Sequence, residues 1–159
     1  MRPRFLADCN VGRLARWLRA LGYDAEYRPQ LTDAQLVQDA LAEDRVLLTR
    51  DVDLMQRRVV ASGVVQTVFV RDDDVRQQLR QLFAQLSLDR SQALTRCLEC
   101  NVDLVPRTAR DVAARVPPYV RATQERYSEC PQCTRVYWAG THWSRMHSVL
   151  DGLSGAEPA

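Results

Sequence analysis

Lysine is missing altogether: all 22 basic residues of this 159-residue chain are arginine. A bias toward GC-rich codons accounts for that most simply, although arginine also offers phosphate a planar fork and bases a flat face for stacking. No apolar stretch reaches the ~18 residues that a membrane span needs. The basic start, Met1-Arg2-Pro3-Arg4, leads into an apolar run that stops at Asp8, which argues against a secretory signal peptide and for a cytoplasmic protein. No internal repeat of fixed period is present. With 46% hydrophobic and 26% charged residues the chain is neither disordered nor collagen-like over most of its length. A nucleophile motif of the covalent or His-based hydrolases is also lacking, so a phosphatase or small-molecule hydrolase is the weakest reading.

Charge is unevenly spread beneath a formal net of +2. Residues 1–89 are neutral, with 13 Arg against 11 Asp and 2 Glu. Residues 90–150 carry 9 Arg against 2 Asp and 3 Glu, a net of +4. Asp151 and Glu157 restore the total.

The first half alternates strand and helix signals. Residues 4–7 read as a short buried strand ending at Asp8. A helix follows, with Asn10 as a candidate N-cap, Leu14, Trp17, Leu18 and Leu21 on its core face, and Gly22 as its stop. Residues 24–28 form a second strand, and Thr32 with Gln35 opens a second helix as a capping box. Residues 45–49 form a third strand, followed by a helix from about 54 to 61. Val64 to Val70 is the fourth strand, and Asp72, Asp73 and Asp74 precede a last helix carrying Leu79, Leu82, Phe83 and Leu86. This order predicts an α/β fold with a mainly parallel sheet covered on both faces. Beyond Asp89 the texture changes. A short helix is expected at 108–116, stopped by Pro117-Pro118, then a hairpin within 127–138 and a helix at 141–150. The expected division is 1–89, 90–153 and a frayed tail at 154–159.

Ligands of open α/β sheets bind at the carboxyl ends of the strands. Asp8 ends the first strand, Asp51 and Asp53 follow the third, and Asp33 lies in the first turn after the second. Each can be read singly as a cap or a solvated loop residue. Together they predict a carboxylate cluster, which requires cations to neutralise it. All-oxygen ligation suits Mg²⁺ or Mn²⁺, and such ions promote phosphodiester hydrolysis. Thr49 and Asn10 are candidates to orient a carboxylate. Asp24, Glu43 and Asp44 fall at the opposite end of the sheet.

Cys97-x-x-Cys100 and Cys130-x-x-Cys133 form two knuckles that supply the four soft ligands of tetrahedral zinc. The 29 residues between them exceed the usual ribbon spacing, which a helix inserted at 108–116 accounts for. Disulfides are disfavoured in a chain without a secretory signal. Cys9 is left over and is expected to pack. Around the second knuckle, aromatic residues sit beside arginine: Arg135, Tyr137, Trp138, Trp143 and Arg145 are candidates for a single-strand nucleic-acid surface that stacks bases and holds phosphates. A core role is expected for one of the tryptophans. Arg107, Arg110, Arg115 and Arg121 read either as a solvated face or as an extended phosphate track.

Phe5-Leu6-Ala7-Asp8-Cys9-Asn10, the run Gly12 to Asp24, and Val46-Leu47-Leu48-Thr49-Arg50-Asp51-Val52-Asp53 together resemble a PIN-like ribonuclease domain. With the downstream cysteines, residues 4–150 resemble the Mut-seven C-terminal RNase family. That resemblance implies a three-layer PIN-like domain followed by a small C-terminal zinc ribbon. It implies a metal-dependent nuclease acting on RNA, with Asp8, Asp33, Asp51 and Asp53 as the catalytic, metal-binding carboxylates. Many PIN domains carry a Glu between the first Asp and the later pair, and neither Glu26 nor Glu43 falls in that place. The alternative is a non-catalytic RNA-binding or adaptor protein with a degenerate PIN-like domain.

Overall fold

Two short strands with no polar residue except a terminal threonine, β1 (Phe5–Ala7) and β3 (Val46–Thr49), form the centre of a four-stranded parallel sheet. The computed structural model describes residues 1–154. The expected tail therefore lies outside the described residues except for Ser154. The chain divides into two compact units, the first ending at Asn101 and the second beginning at Val102.

In the first unit β2 (Ala25–Tyr27) and β4 (Thr67–Phe69) flank the central pair, giving the order β2-β1-β3-β4. Every residue of β1 and β3 is buried, which is why these strands read as apolar runs rather than alternations. Their helices are α1 (Gly12–Ala20), α2 (Asp33–Ala42), α3 (Val52–Met55), α4 (Arg58–Ala61) and α5 (Val75–Leu86). Leu6 and Leu47 pack with Leu36, Val37 and Ala40 of α2 and with Leu54, Val60 and Val65. Strand alternation turns Phe5 the other way, where its ring meets Tyr23 edge-on at 5.8 Å. The chain steps outward from β1 to β2, then crosses back over β1 to β3. Right-handed crossovers in opposite directions put α1 and α2 on opposite faces. That reversal opens a crevice at the carboxyl ends of β1 and β3.

Local chemistry sets the boundaries. The Thr32 hydroxyl accepts the Gln35 amide at 3.2 Å, and the Gln35 side chain accepts the Thr32 amide at 2.9 Å, closing the expected capping box. Gly22 has φ +86°, and a Cβ there would come within 2.1 Å of the Gln92 carbonyl oxygen. Asn10 is not an N-cap. Asp8 caps a 3-10 turn at Cys9–Val11, and α1 starts behind it at Gly12 with no side-chain cap. The helix expected at 54–61 is two short turns, α3 and α4, with Arg57 in extended backbone between them.

The amino ends of the strands carry paired charge. Arg45 bonds Asp24 at 2.7 Å and Glu43 at 2.6 Å, while Arg28 bonds Asp39 and Glu43 at 2.9 Å. The hydrogen bonds from Arg28 and Arg45 hold the Glu43 carboxyl down at about 2. Burial works against ionised Asp24, but its bonds from Arg45 and Asn101 outweigh that and lower its pKa. The segment after α5 returns along α1 and β2. Leu94 donates to the Ala20 carbonyl, Arg19 to the Leu98 carbonyl, and Asn101 covers the outer edge of β2 by accepting the Ala25 amide at 3.0 Å.

The second unit holds an antiparallel sheet, β5 (Val105–Arg107), β6 (Tyr127–Glu129) and β7 (Val136–Tyr137), in the order β5-β6-β7. β6 and β7 are the expected hairpin. Its helices are α6 (Ala109–Val112), α7 (Pro118–Thr123) and α8 (Thr141–Ser154). The helix expected at 108–116 ends as a 3-10 turn at Ala113–Arg115. Pro118 then starts α7 instead of terminating structure, because a missing N–H costs nothing in a first turn. Val112, Val116, Val120 and Tyr127 form the core, with Val136 and Trp138 against it. Among the described residues no helix is long and apolar enough to cross a membrane.

Candidate active site and cysteine centre

Asp8 lies one step beyond β1, where its amide donates to the Leu48 carbonyl at 2.9 Å and sets it beside Thr49. It is 5% exposed. Its Oδ1 accepts the Cys9 amide at 2.7 Å and its Oδ2 accepts the hydroxyl of wholly buried Thr49 at 2.8 Å. The same Thr49 oxygen accepts the Asp51 amide at 3.0 Å, tying the ends of β1 and β3 together. Asp51 in turn caps α3, its Oδ1 accepting the amides of Asp53 at 2.9 Å and Leu54 at 3.4 Å.

Asp33 comes from a third element, the first turn of α2. One carboxylate oxygen from each of Asp8, Asp33 and Asp51 lies within 4.8 Å of the others. Desolvation first, then the charges of Asp51 and Asp8, push the Asp33 carboxyl above its ordinary pKa, with Arg57 opposing. Asp53 is exposed and outside this trio, although its charge also reaches Asp33. None of the three clustered carboxylates takes part in an ion pair among the described residues, unlike the acids at the other end of the sheet. Oxygen-only donors, mutually repelling and in no ion pair among the described residues, fit a hard divalent cation such as Mg²⁺ or Mn²⁺.

Cys9 is exposed instead of packed. Desolvation and the neighbouring Asp8 charge raise its thiol pKa, so it stays protonated. It opens a groove that the sequence did not flag, lined by Arg13, Arg16 and Tyr27 among others. The only sequence signal there was the arginine spacing along α1, which a solvated helix face shows equally well.

The four knuckle cysteines are free thiols whose sulfurs cluster at 3.6–4.1 Å. Tetrahedral zinc with Zn–S of about 2.3 Å separates its sulfurs by about 3.8 Å, so the donor set fits a zinc ribbon. The two knuckles repeat one geometry. Cys100 donates its amide to Cys97 Sγ, and Cys133 donates to Cys130 Sγ, each at 3.4 Å. The following residues, Asn101 (φ +59°) and Thr134 (φ +62°), turn left-handed and donate to the carbonyls of Cys97 and Cys130. Cys97 and Cys130 are fully buried.

Of the aromatic and basic residues expected at an RNA surface, Trp138 packs on the apolar core. Trp143 is half-buried, its ring 5.7 Å from that of His147. Tyr137 is half-buried, and Arg135 and Arg145 are exposed. Arg107 and Arg115 are engaged by Glu129, at 2.7 and 2.8 Å, and their hydrogen bonds hold that carboxyl at about 2. They are therefore partners of an acid and not an open phosphate track.

A parallel α/β sheet with clustered carboxylates at its switch point thus accompanies a four-cysteine centre able to hold a metal. The family model for the Mut7-C RNAse domain matches residues 3–150, and the chain belongs to that family. It is thus of ribonuclease type, a hydrolase with RNA as substrate. No curated protein and no solved structure matches the chain.

Proposed function

We propose that the chain is an Mg²⁺- or Mn²⁺-dependent ribonuclease that hydrolyses phosphodiester bonds of single-stranded RNA. The approach of Asp8, Asp33 and Asp51 within 4.8 Å, from three separate elements at the crevice of the sheet, carries this reading. These three would hold the ions, with Asp53 completing the acidic edge as a fourth catalytic carboxylate. Ions bound there supply an activated water and a counter-charge for the leaving oxygen. The protein's own part is orientation. Thr49 fixes the Asp8 carboxylate, and the α3 amides fix that of Asp51, so neither must be ordered when a cation arrives. Near-complete burial of Asp8 limits competing water.

Structural zinc on Cys97, Cys100, Cys130 and Cys133 would stiffen the ribbon. Arg135, Tyr137, Trp143 and Arg145 would then contact RNA, with Trp138 holding the hairpin that presents them. Residues 1–89 act in this reading as the nuclease module and 90–153 as the RNA-holding module. A zinc site on four of the cysteines needs them as thiolates and not as disulfides, which fits a cytoplasmic setting.

The test is cleavage of a labelled RNA panel with Mg²⁺, with Mn²⁺ and with chelator, using parent, Asp8→Asn and Asp51→Asn proteins that are folded and zinc-loaded. Metal-stimulated cleavage that both substitutions abolish is expected. Equal cleavage by all three proteins overturns the assignment, and RNA binding without metal-stimulated cleavage makes the chain an RNA-binding protein.

A further inference from the structure

A groove of about 410 Å³ begins one residue beyond Asp8, between the start of α1 and the start of α5. Its lining includes Asn10, Arg13, Arg16, Tyr27, Asp73 and Gln78. That volume lies in the range of roughly 300–1,000 Å³ typical of small-molecule sites. Its contents suit one chemistry. The cation that the groove offers an anion is Arg13, since Arg16 is already paired and Asp73 is the acid of the lining. Arg13 is exposed and makes no ion pair among the described residues, while Arg16 is shared with Glu99.

Tyr27 is 38% exposed and yet fixed. Its hydroxyl donates to the Cys9 carbonyl at 3.1 Å, and the hydroxyl end of its ring lies against Gly12, where a Cβ would meet Cζ at 2.8 Å. A flat ring held by its hydroxyl and backed on one face by Gly12 loses little rotational freedom when a base stacks on its other face, which is the requirement for a base platform. The exposed amide of Asn10 offers hydrogen bonds to a base edge, while buried Gln78 donates to the Asp72 carbonyl and forms part of the groove wall.

We propose that this groove is a nucleotide subsite, which stacks one base of the RNA strand on Tyr27 and holds its phosphate with Arg13. It rests on the reading above that the chain acts on RNA, and it adds how the strand is seated beside Asp8. A groove that starts at Cys9 sets the nucleotide adjoining the scissile bond, so base stacking there fixes the register of cleavage.

The experiment is fluorescence anisotropy of a labelled single-stranded RNA 12-mer and of an abasic 12-mer with the same ribose-phosphate backbone. Both are titrated in Mg²⁺ against full-length, zinc-loaded Asp8→Asn protein, alone and with Tyr27→Ala, Tyr27→Phe or Arg13→Gln added. Tyr27→Ala is expected to weaken RNA binding about tenfold and abasic binding hardly at all, with Tyr27→Phe restoring most of the loss. Arg13→Gln is expected to weaken both strands alike. RNA binding unchanged in Tyr27→Ala and Arg13→Gln, or an abasic strand bound as tightly as RNA, overturns the subsite. Cleavage by the unsubstituted chain is measured separately, so failure of the nuclease reading is distinguishable from failure of the groove.

Discussion

Thr49 stands between two carboxylates: its hydroxyl donates to Asp8 at 2.8 Å and its oxygen accepts the Asp51 amide at 3.0 Å. One buried side chain thus sets the spacing of the ends of β1 and β3. Thr49→Val keeps the shape and removes both bonds, leaving a buried carboxylate oxygen without its donor. A loss of about 1–3 kcal/mol in urea unfolding is expected. Weaker Mn²⁺ binding is expected too, by about 10- to 100-fold in calorimetry. Thr49→Ser should restore most of both.

Desolvation and the charges of Asp51 and Asp8 disfavour the ionised form of Asp33 in the folded chain. Asp33→Asn removes that repulsion. The metal-free variant should therefore melt above the metal-free parent at neutral pH. With saturating Mn²⁺ the order should reverse, because the parent gains a ligand-linked increment that the variant lacks. Thermal melts with and without metal check both halves.

Acid sensitivity should trace in part to Glu43. Its carboxyl sits at about 2 in the fold against an ordinary 4.5, held down by the bonds from Arg28 and Arg45. A lowered folded pKa stabilises fully above the ordinary value and is lost as pH falls through 4.5 toward 2. Urea midpoints measured from pH 6 to pH 2.5 should fall less steeply for Glu43→Gln than for the parent. Coincident curves would remove Glu43 from the acid limb.

The second knuckle stores strain that the first relieves. Asn101 tolerates a left-handed backbone, whereas Thr134 is β-branched and pays for it. Thr134→Gly should stabilise the zinc-loaded chain by about 0.5–1 kcal/mol and leave its zinc content unchanged. Cys130→Ser, by contrast, should lower zinc below one ion per chain in elemental analysis.

The features that sequence revealed are those whose cause is local. Thr32 with Gln35 closes its capping box without help from elsewhere, and the cysteine pairs carry their own spacing. The convergence of Asp33 on Asp8 and Asp51 was also legible, because strand ends in a parallel sheet share one edge. Asp8 won the capping role from Asn10 through a tertiary bond, the one from Thr49, which no local pattern encodes. Pro117-Pro118 signals the same restriction whether a helix ends or begins there, and Pro106 is accepted in β5 because that strand is an edge. Tyr27 showed only as the end of a short strand. Its role depends on Gly12 and the Cys9 carbonyl, 15 and 18 residues away.

The two ends of the parallel sheet differ in charge pairing. At the amino ends Arg28 and Arg45 neutralise their acids, while at the carboxyl ends Asp8, Asp33 and Asp51 form no ion pair among the described residues. A polyanion arriving at that edge before any cation meets repulsion, and after a cation it meets attraction. Under the proposed metal-dependent reading the order of arrival is ion first, nucleic acid second, so engagement of the strand at that edge follows occupancy by the ion.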